Sequence, residues 1–151
     1  MNKEFNKFED ISVLDGQLMT GDNIVTHYFI DKLNYIVLQR SKNILTTKTE
    51  LIIGRTDGSV SLKKVYGETK ARLLKEKYDE IIKEVEKTGK FTDIGDYAFV
   101  NVDNINVITK QVSNDGKVYN IHFINGDILT RARLSMSAKT LLKNDESEYL
   151  K

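Results

Sequence analysis

The chain has 151 residues, 40% of them hydrophobic and 30% charged, the balance of one soluble globular domain rather than a disordered or membrane-embedded chain. Its formal charge is only +1, so no global field recruits nucleic acid, and any such binding has to come from a local patch. The absence of cysteine excludes disulfides and thiolate metal sites and fits a reducing cytoplasm, the expected location.

The polar start "MNKEFNKFED" has no signal-peptide character, and no apolar run approaches the roughly 20 residues of a membrane span. Residues 1–23 carry weak patterns, with "FNKF" and "ISVL" as short edge elements, and read as an N-terminal extension. "HYFIDKLNYIVLQ" is rich in β-branched and aromatic residues and reads as one or two strands; "NILTTKTELIIGR" follows as another. Asp57-Gly58 predicts a two-residue hairpin turn, with "SVSLKKVY" returning. Residues 68–88 predict a helix, because Ala71, Leu74, Tyr78, Ile81 and Val85 recur at spacings of three and four, with Gly89 as its C-terminal cap. Its other face mixes six acids with six bases and reads as solvated. "YAFVNVDNINVITKQ", a turn at Asp115-Gly116, "KVYNIHFI", a turn at Asn125-Gly126 and "DILTRARL" predict further strands. "SMSAKTLLK" predicts a short helix capped by Ser135 or Ser137, and residues 144–151 form a polar tail.

The two halves align. Residues 35–48 lie over 97–110, and 51–75 lie without a gap over 119–143, both copies ending in similar "ARLLK" and "AKTLLK" stretches. The expected fold is α+β and mostly antiparallel, two hairpin-plus-helix half-repeats packed as one domain over residues 24–143 with a long central helix.

Catalytic constellations are missing. His27 and His122 each stand alone in an alternating apolar stretch and read as structural, and no residues are spaced to complete a metal site. No phosphate loop, dinucleotide fingerprint or nucleophile elbow occurs, so neither an enzyme nor a cofactor is expected. Asp93 and Asp96 have no accompanying nucleophile.

What remains is charge. In "DILTRARLS" the strand period puts Leu129, Arg131, Arg133 and Ser135 on one face, and two adjacent guanidiniums are tolerated there only in solvent or against anions. Lys110, Lys117, Lys139 and Lys143 add to them. A bare cluster of this kind reads first as a solubilising edge, and more sharply as a phosphate- or guanine-contacting one.

"KFTDIGDYAFVNVDNINVI" resembles the signature of LytTR-type DNA-binding domains, with Phe91, Val100, Asn101 and Ile105 at the matching positions. "HFINGDILTRARLSMSAKTLLK" is similar to that family's closing hairpin and helix, with Arg133 on its motif arginine, and the resemblance covers about residues 25–143. It implies a mostly antiparallel fold whose loops enter DNA grooves, with Arg133 and Arg131 as principal contacts and Lys48, in the first-half loop region, as a looser one. Gly95, Asp96 and Tyr97 stand where the family has a His-Arg-Ser-like triplet, and Asp93 where a base is frequent. A carboxylate facing phosphate is repulsive. The expected function is a transcriptional regulator without a receiver domain, binding double-stranded DNA at a promoter repeat as a monomer or homodimer. The alternative is a LytTR-like interaction module that has lost DNA binding and takes a protein partner.

Overall fold

The computed structural model describes residues 11–14, 17–20, 26–135 and 138, with side chains from Phe29 onward. The "FNKF" element, the side chain of His27, nearly all of the closing helix with Lys139 and Lys143, and the polar tail lie outside the described residues.

Strands β1 (Ile11–Leu14), β2 (Gln17–Thr20) and β3 (Thr26–Phe29) form one antiparallel sheet, so that β2 pairs with β3 across the boundary expected at residue 24. A 3-10 turn, Ile30–Lys32, leads into the meander β4 (Leu33–Lys42), β5 (Thr47–Arg55) and β6 (Val60–Tyr66), followed by helix α1 (Glu68–Glu86). Then come β7 (Phe91–Asp93), β8 (Ala98–Asn101), a second 3-10 turn (Val102–Asn104), and the meander β9 (Ile105–Ser113), β10 (Gly116–Phe123) and β11 (Ile128–Arg131). The central sheet runs β6-β5-β4-β8-β7 and the third sheet β11-β10-β9. The fold is α+β and mostly antiparallel, as the sequence predicts.

The predicted stripe of α1 is buried at every position, joined by Ile82. With Leu33, Ile36, Leu38, Leu51, Ile53, Phe91 and Phe99 it forms the core on one face of the central sheet. On the other face Val37, Ala98 and Val100 pack against Tyr119, Ile121 and Phe123 of β10 and against Leu134 and Ala138. β8, caught between two cores, is buried at all four residues. The four residues that carry the LytTR resemblance are packing residues: Phe91 and Val100 are buried, Ile105 lies against the second core, and Asn101 is 1% exposed.

The duplication is real in geometry, but part of its register differs from the sequence alignment. The pair Leu51↔Lys63 of the first hairpin corresponds to Tyr119↔Arg131 of the second, and Ile53↔Ser61 to Ile121↔Leu129, as the gapless block requires. Upstream, however, β3, the first 3-10 turn and the start of β4 ("THYFIDKL") match β8, the second turn and the start of β9 ("AFVNVDNI"). Both ladders skip one asparagine at the same place, Asn34 between Leu33 and Tyr35 and Asn106 between Ile105 and Val107. Tyr35 therefore matches Val107, not Tyr97. The slip is an even number of residues, which leaves the inward–outward alternation of a strand unchanged and so hides it from pattern matching. "YAFVNVDNINVITKQ" is likewise two strands in two sheets, broken by the turn at Val102–Asn104.

Both outer hairpins close through three-residue loops rather than the two expected. Arg55 N–H donates to the Ser59 carbonyl (3.0 Å) and Phe123 N–H to that of Asp127 (2.8 Å), with Gly58 at φ +88° and Gly126 at φ +99°. Such a loop ends in a left-handed residue, which explains why glycine is third in each. Asp57 and Asn125 occupy the same place and accept from the backbone two residues on, at 2.8 and 3.0 Å. The third hairpin turns through Asn114 and Asp115, since Gly116 already pairs with Ser113. Ser135 Oγ accepts from Ala138 N–H at 3.1 Å, the bond expected of a helix cap.

Asparagines join the halves. Asn101 Nδ2 donates to the Leu33 carbonyl (3.1 Å), Asn104 Nδ2 to the carbonyls of Leu33 (3.2 Å) and Asp31 (3.3 Å), and Asn125 Nδ2 to those of Thr56 (3.0 Å) and Arg55 (3.2 Å). Asn101→Ala leaves the buried Leu33 carbonyl without its strongest donor. It should cost about 1–3 kcal/mol in denaturant unfolding without changing the strand content seen by circular dichroism.

The Asp57 carboxyl sits below the usual range, chiefly because the Ser59 hydroxyl and then the Ser59 N–H donate to it. Its contribution to stability is present above the unfolded value of about 4 and is lost as pH falls through the lowered folded value. Asp57→Asn should therefore flatten the acid limb of a stability–pH curve. Asn125→Ala in the matching turn should lower stability at all pH values without changing that limb.

Candidate nucleic-acid interface

In the third sheet, cross-strand pairing sets Lys110, Tyr119 and Arg131 in one row, with Lys117 two residues before Tyr119 and so on the same face. Lys110 Nζ and Lys117 Nζ each lie 5.8 Å from the centre of the Tyr119 ring, which is 1% exposed. Both ammonium groups thus lie over the ring, within reach of its π face. The matching positions of the first copy are Leu38, Leu51, Lys63 and Thr49. The second copy thus carries cations where the first has two uncharged residues.

Arg131 is the last residue of β11, and its Nη2 donates to the Asp96 carbonyl at 3.0 Å and reaches that of Gly95 at 3.5 Å. Arg133 lies beyond the strand, its side chain 78% exposed, with Nη2 3.6 Å from Asp96 Oδ2. The two guanidiniums do not stack side by side on a continuous strand; both hold the β7–β8 loop. That loop is the Gly95-Asp96-Tyr97 stretch at which the chain departs from the LytTR pattern. Its three residues are all left-handed, at φ +95°, +51° and +59°. For a tyrosine this is a strained backbone costing on the order of 1–2 kcal/mol, and the surroundings must impose it. They do so from several sides. Ile94 is buried, Asp93 Oδ1 accepts from Gly95 N–H (2.8 Å), Leu38 N–H donates to the Tyr97 carbonyl (2.9 Å), and Ser135 bonds Ile94 and Asp93 through its N–H and hydroxyl. Asp93 is engaged in that turn, whereas the Asp96 carboxylate lies on Arg133.

Of the five predicted cations, Lys110, Lys117 and Arg131 share the Tyr119 face of the β9–β11 sheet, and Arg133 stands two residues beyond Arg131 against Asp96. Lys48 does not join them. It pairs with Glu50 Oε1 at 3.8 Å, and strand alternation puts both on the face of β5 opposite Thr49. His122 fits a structural reading, its Nε2 meeting Thr109 Oγ1 across the strands at 3.2 Å. No group of three or more histidine, cysteine or carboxylate side chains among the described residues is placed to hold a metal.

No protein-family model, curated protein or solved structure matches this chain.

Sequence reasoning missed a cleft of about 500 Å³ beside this loop, lined among others by Arg40, Thr49, Glu68, Arg72, Lys75, Tyr97 and Arg131. Glu68, Arg72 and Lys75 share one stripe of α1 at spacings of three and four, the face read from sequence as solvated. One signal was available. The chain has 18 lysines and only five arginines, and three of those five line this cleft.

If Arg131 holds the loop, Arg131→Met should speed amide exchange at Leu38 by about tenfold or more while global unfolding changes little. Unchanged exchange at Leu38 would show that the loop keeps its shape without the guanidinium.

Proposed function

We propose that this chain is a DNA-binding module of LytTR type, a transcriptional regulator that meets double-stranded DNA with the arginine-bearing end of its second hairpin. The observation that supports the reading is that Lys110, Lys117 and Arg131 share one face of the second copy's sheet, with Arg133 exposed two residues beyond. The matching face of the first copy lacks this grouping. Strand-borne cations at fixed spacing suit a phosphate track, and an arginine standing free of the sheet suits a base edge. Arg133 is the contact residue. Arg131 is a positioning residue toward DNA, because its Nη2 holds the carbonyls of residues 95 and 96 and keeps the guanidinium in the β7–β8 loop.

Asp96 works against this binding. Its carboxylate holds Arg133 in the free protein and repels phosphate, but an ion pair as exposed as this one is worth well under about 1 kcal/mol and yields readily to a polyanion. Asn tolerates the left-handed backbone at residue 96, so Asp96→Asn removes the charge while sparing the loop.

The second reading, a LytTR-like interaction module that has lost DNA binding, draws on the same carboxylate and on Lys48 being turned away from the patch. Fluorescence anisotropy on duplexes from the DNA upstream of the coding sequence separates the two. DNA binding predicts a salt-sensitive complex that tightens in Asp96→Asn and weakens about tenfold or more in Arg133→Ala, with the salt slope reduced by about 1. No complex at low salt with either the native chain or Asp96→Asn sinks the DNA reading. Nuclease-resistant copurification of a defined protein then supports the other.

A further inference from the structure

The cleft beside the loop has the features of a small-ligand site, and it lies apart from Lys110, Lys117 and Arg133. Its wall on one side is the start of α1, on the other the strained loop, and Leu38 and Thr49 of the central sheet lie beneath. Its charges do not cancel. Arg40 is matched by Glu68, Lys75 is shared with Asp79 at 2.9 Å, and Asp96 leans out to Arg133. Arg72 has no ion-pair partner among the described residues, and Arg131 presents a half-buried guanidinium fixed by two carbonyls. Two forked donors lining one cleft, one of them pre-oriented, suit a phosphate better than a single point charge would. Thr49, 4% exposed, has a hydroxyl with no hydrogen-bond partner.

The loop supplies the second element. Tyr97 is 55% exposed although it sits in a conformation that a bulky residue rarely adopts. Its ring leans edge-on against Tyr78 at 6.1 Å and carries Lys75 Nζ 5.8 Å from its centre. A glycine or asparagine would relieve the backbone, yet a ring stands here with one edge on Tyr78 and more than half of the residue open to solvent. Strain retained to hold an aromatic face beside two arginines points to a ligand with both an anion and a flat ring. The volume lies within the range of small-molecule sites and can take a mononucleotide.

We propose that the cleft between the start of α1 and residues 95–97 binds a nucleoside phosphate, with its phosphate on Arg72 and Arg131 and its base against Tyr97. Because Arg131 also anchors the loop that carries Asp96, occupancy of the cleft is coupled to the charge pair at Arg133. This coupling rests on the proposed DNA interface; the binding itself does not.

Isothermal titration of the full chain with adenosine, guanosine, cytidine and uridine monophosphates tests the proposal, with inorganic pyrophosphate and free adenosine alongside. At least one nucleotide should bind in the micromolar to low-millimolar range. Its affinity should fall tenfold or more in Arg72→Gln and several-fold in Tyr97→Leu. Arg72 is on the solvent side of the helix, and equal melting temperatures of Arg72→Gln and the native chain show that the fold is not the cause. Absence of any nucleotide binding at several millimolar overturns the proposal. So does pyrophosphate binding as tightly as every nucleotide, which removes the role of Tyr97, and so does binding that Arg72→Gln leaves untouched. None of these outcomes depends on whether the protein binds DNA.

Discussion

The arrangement rests on a buried amide. Asn101 is 1% exposed, and its side chain donates to the Leu33 carbonyl just past the first 3-10 turn, while its own Oδ1 accepts from Asp103 N–H (3.2 Å) and shapes the second. A buried carboxamide must find partners on both its donor and acceptor sides, and here one side chain satisfies a turn from each copy of the repeat. Asn104 and Asn125 add donors to the same crossing, and Asn34 lies 3.3 Å from Asn125 Oδ1. With the two turns fixed, β8 has to leave its own copy and pair with β4 of the other, Tyr35 opposite Val100. That pairing carries the loop of residues 95–97 to Leu38 and over Arg131. The loop, the arginines and the cleft all follow from this joint.

Much of the scaffold was legible because local chemistry decides it. The stripe of α1 admits one helix phase, and each Asn-Gly or Asp-Gly pair fixes a hairpin to within a residue. The sequence offered Ser135 and Ser137 alike as caps, and the bond from Ala138 N–H falls on Ser135. Other features were hidden for physical reasons. The repeat register slipped because alternation is blind to an even displacement. Loop length was misjudged because the glycine that marks a turn can be its third residue. The break inside "YAFVNVDNINVITKQ" was hidden because both flanking strands carry apolar residues and the turn between them is held by Ile105 N–H on the Val102 carbonyl and by the side chains of Asn101 and Asn104.

The site was half legible. Arginines on a strand stand out in a lysine-rich chain, but their partners do not, since Asp96 is distant in sequence and reaches Arg133 only through the β7–β8 hairpin. The arginine pair and the Gly95-Asp96-Tyr97 loop are therefore one feature rather than two. Each makes sense of the other: the loop gains an anchor in Arg131, and Arg133 gains a counterion that a polyanion can displace. The cleft was invisible to periodicity because Arg72 and Lys75 belong to a helix face of balanced charge. Only the fold brings them opposite Tyr97.

The central claim is that the second hairpin, and not the rest of the surface, meets DNA. Mapping amide chemical-shift changes on titration with duplex DNA addresses it directly. The account predicts the largest changes at residues 95–97, 110, 117 and 131–133, with small ones around Lys48 and the outer face of α1. Changes confined to other surfaces, or none at low salt, would contradict it.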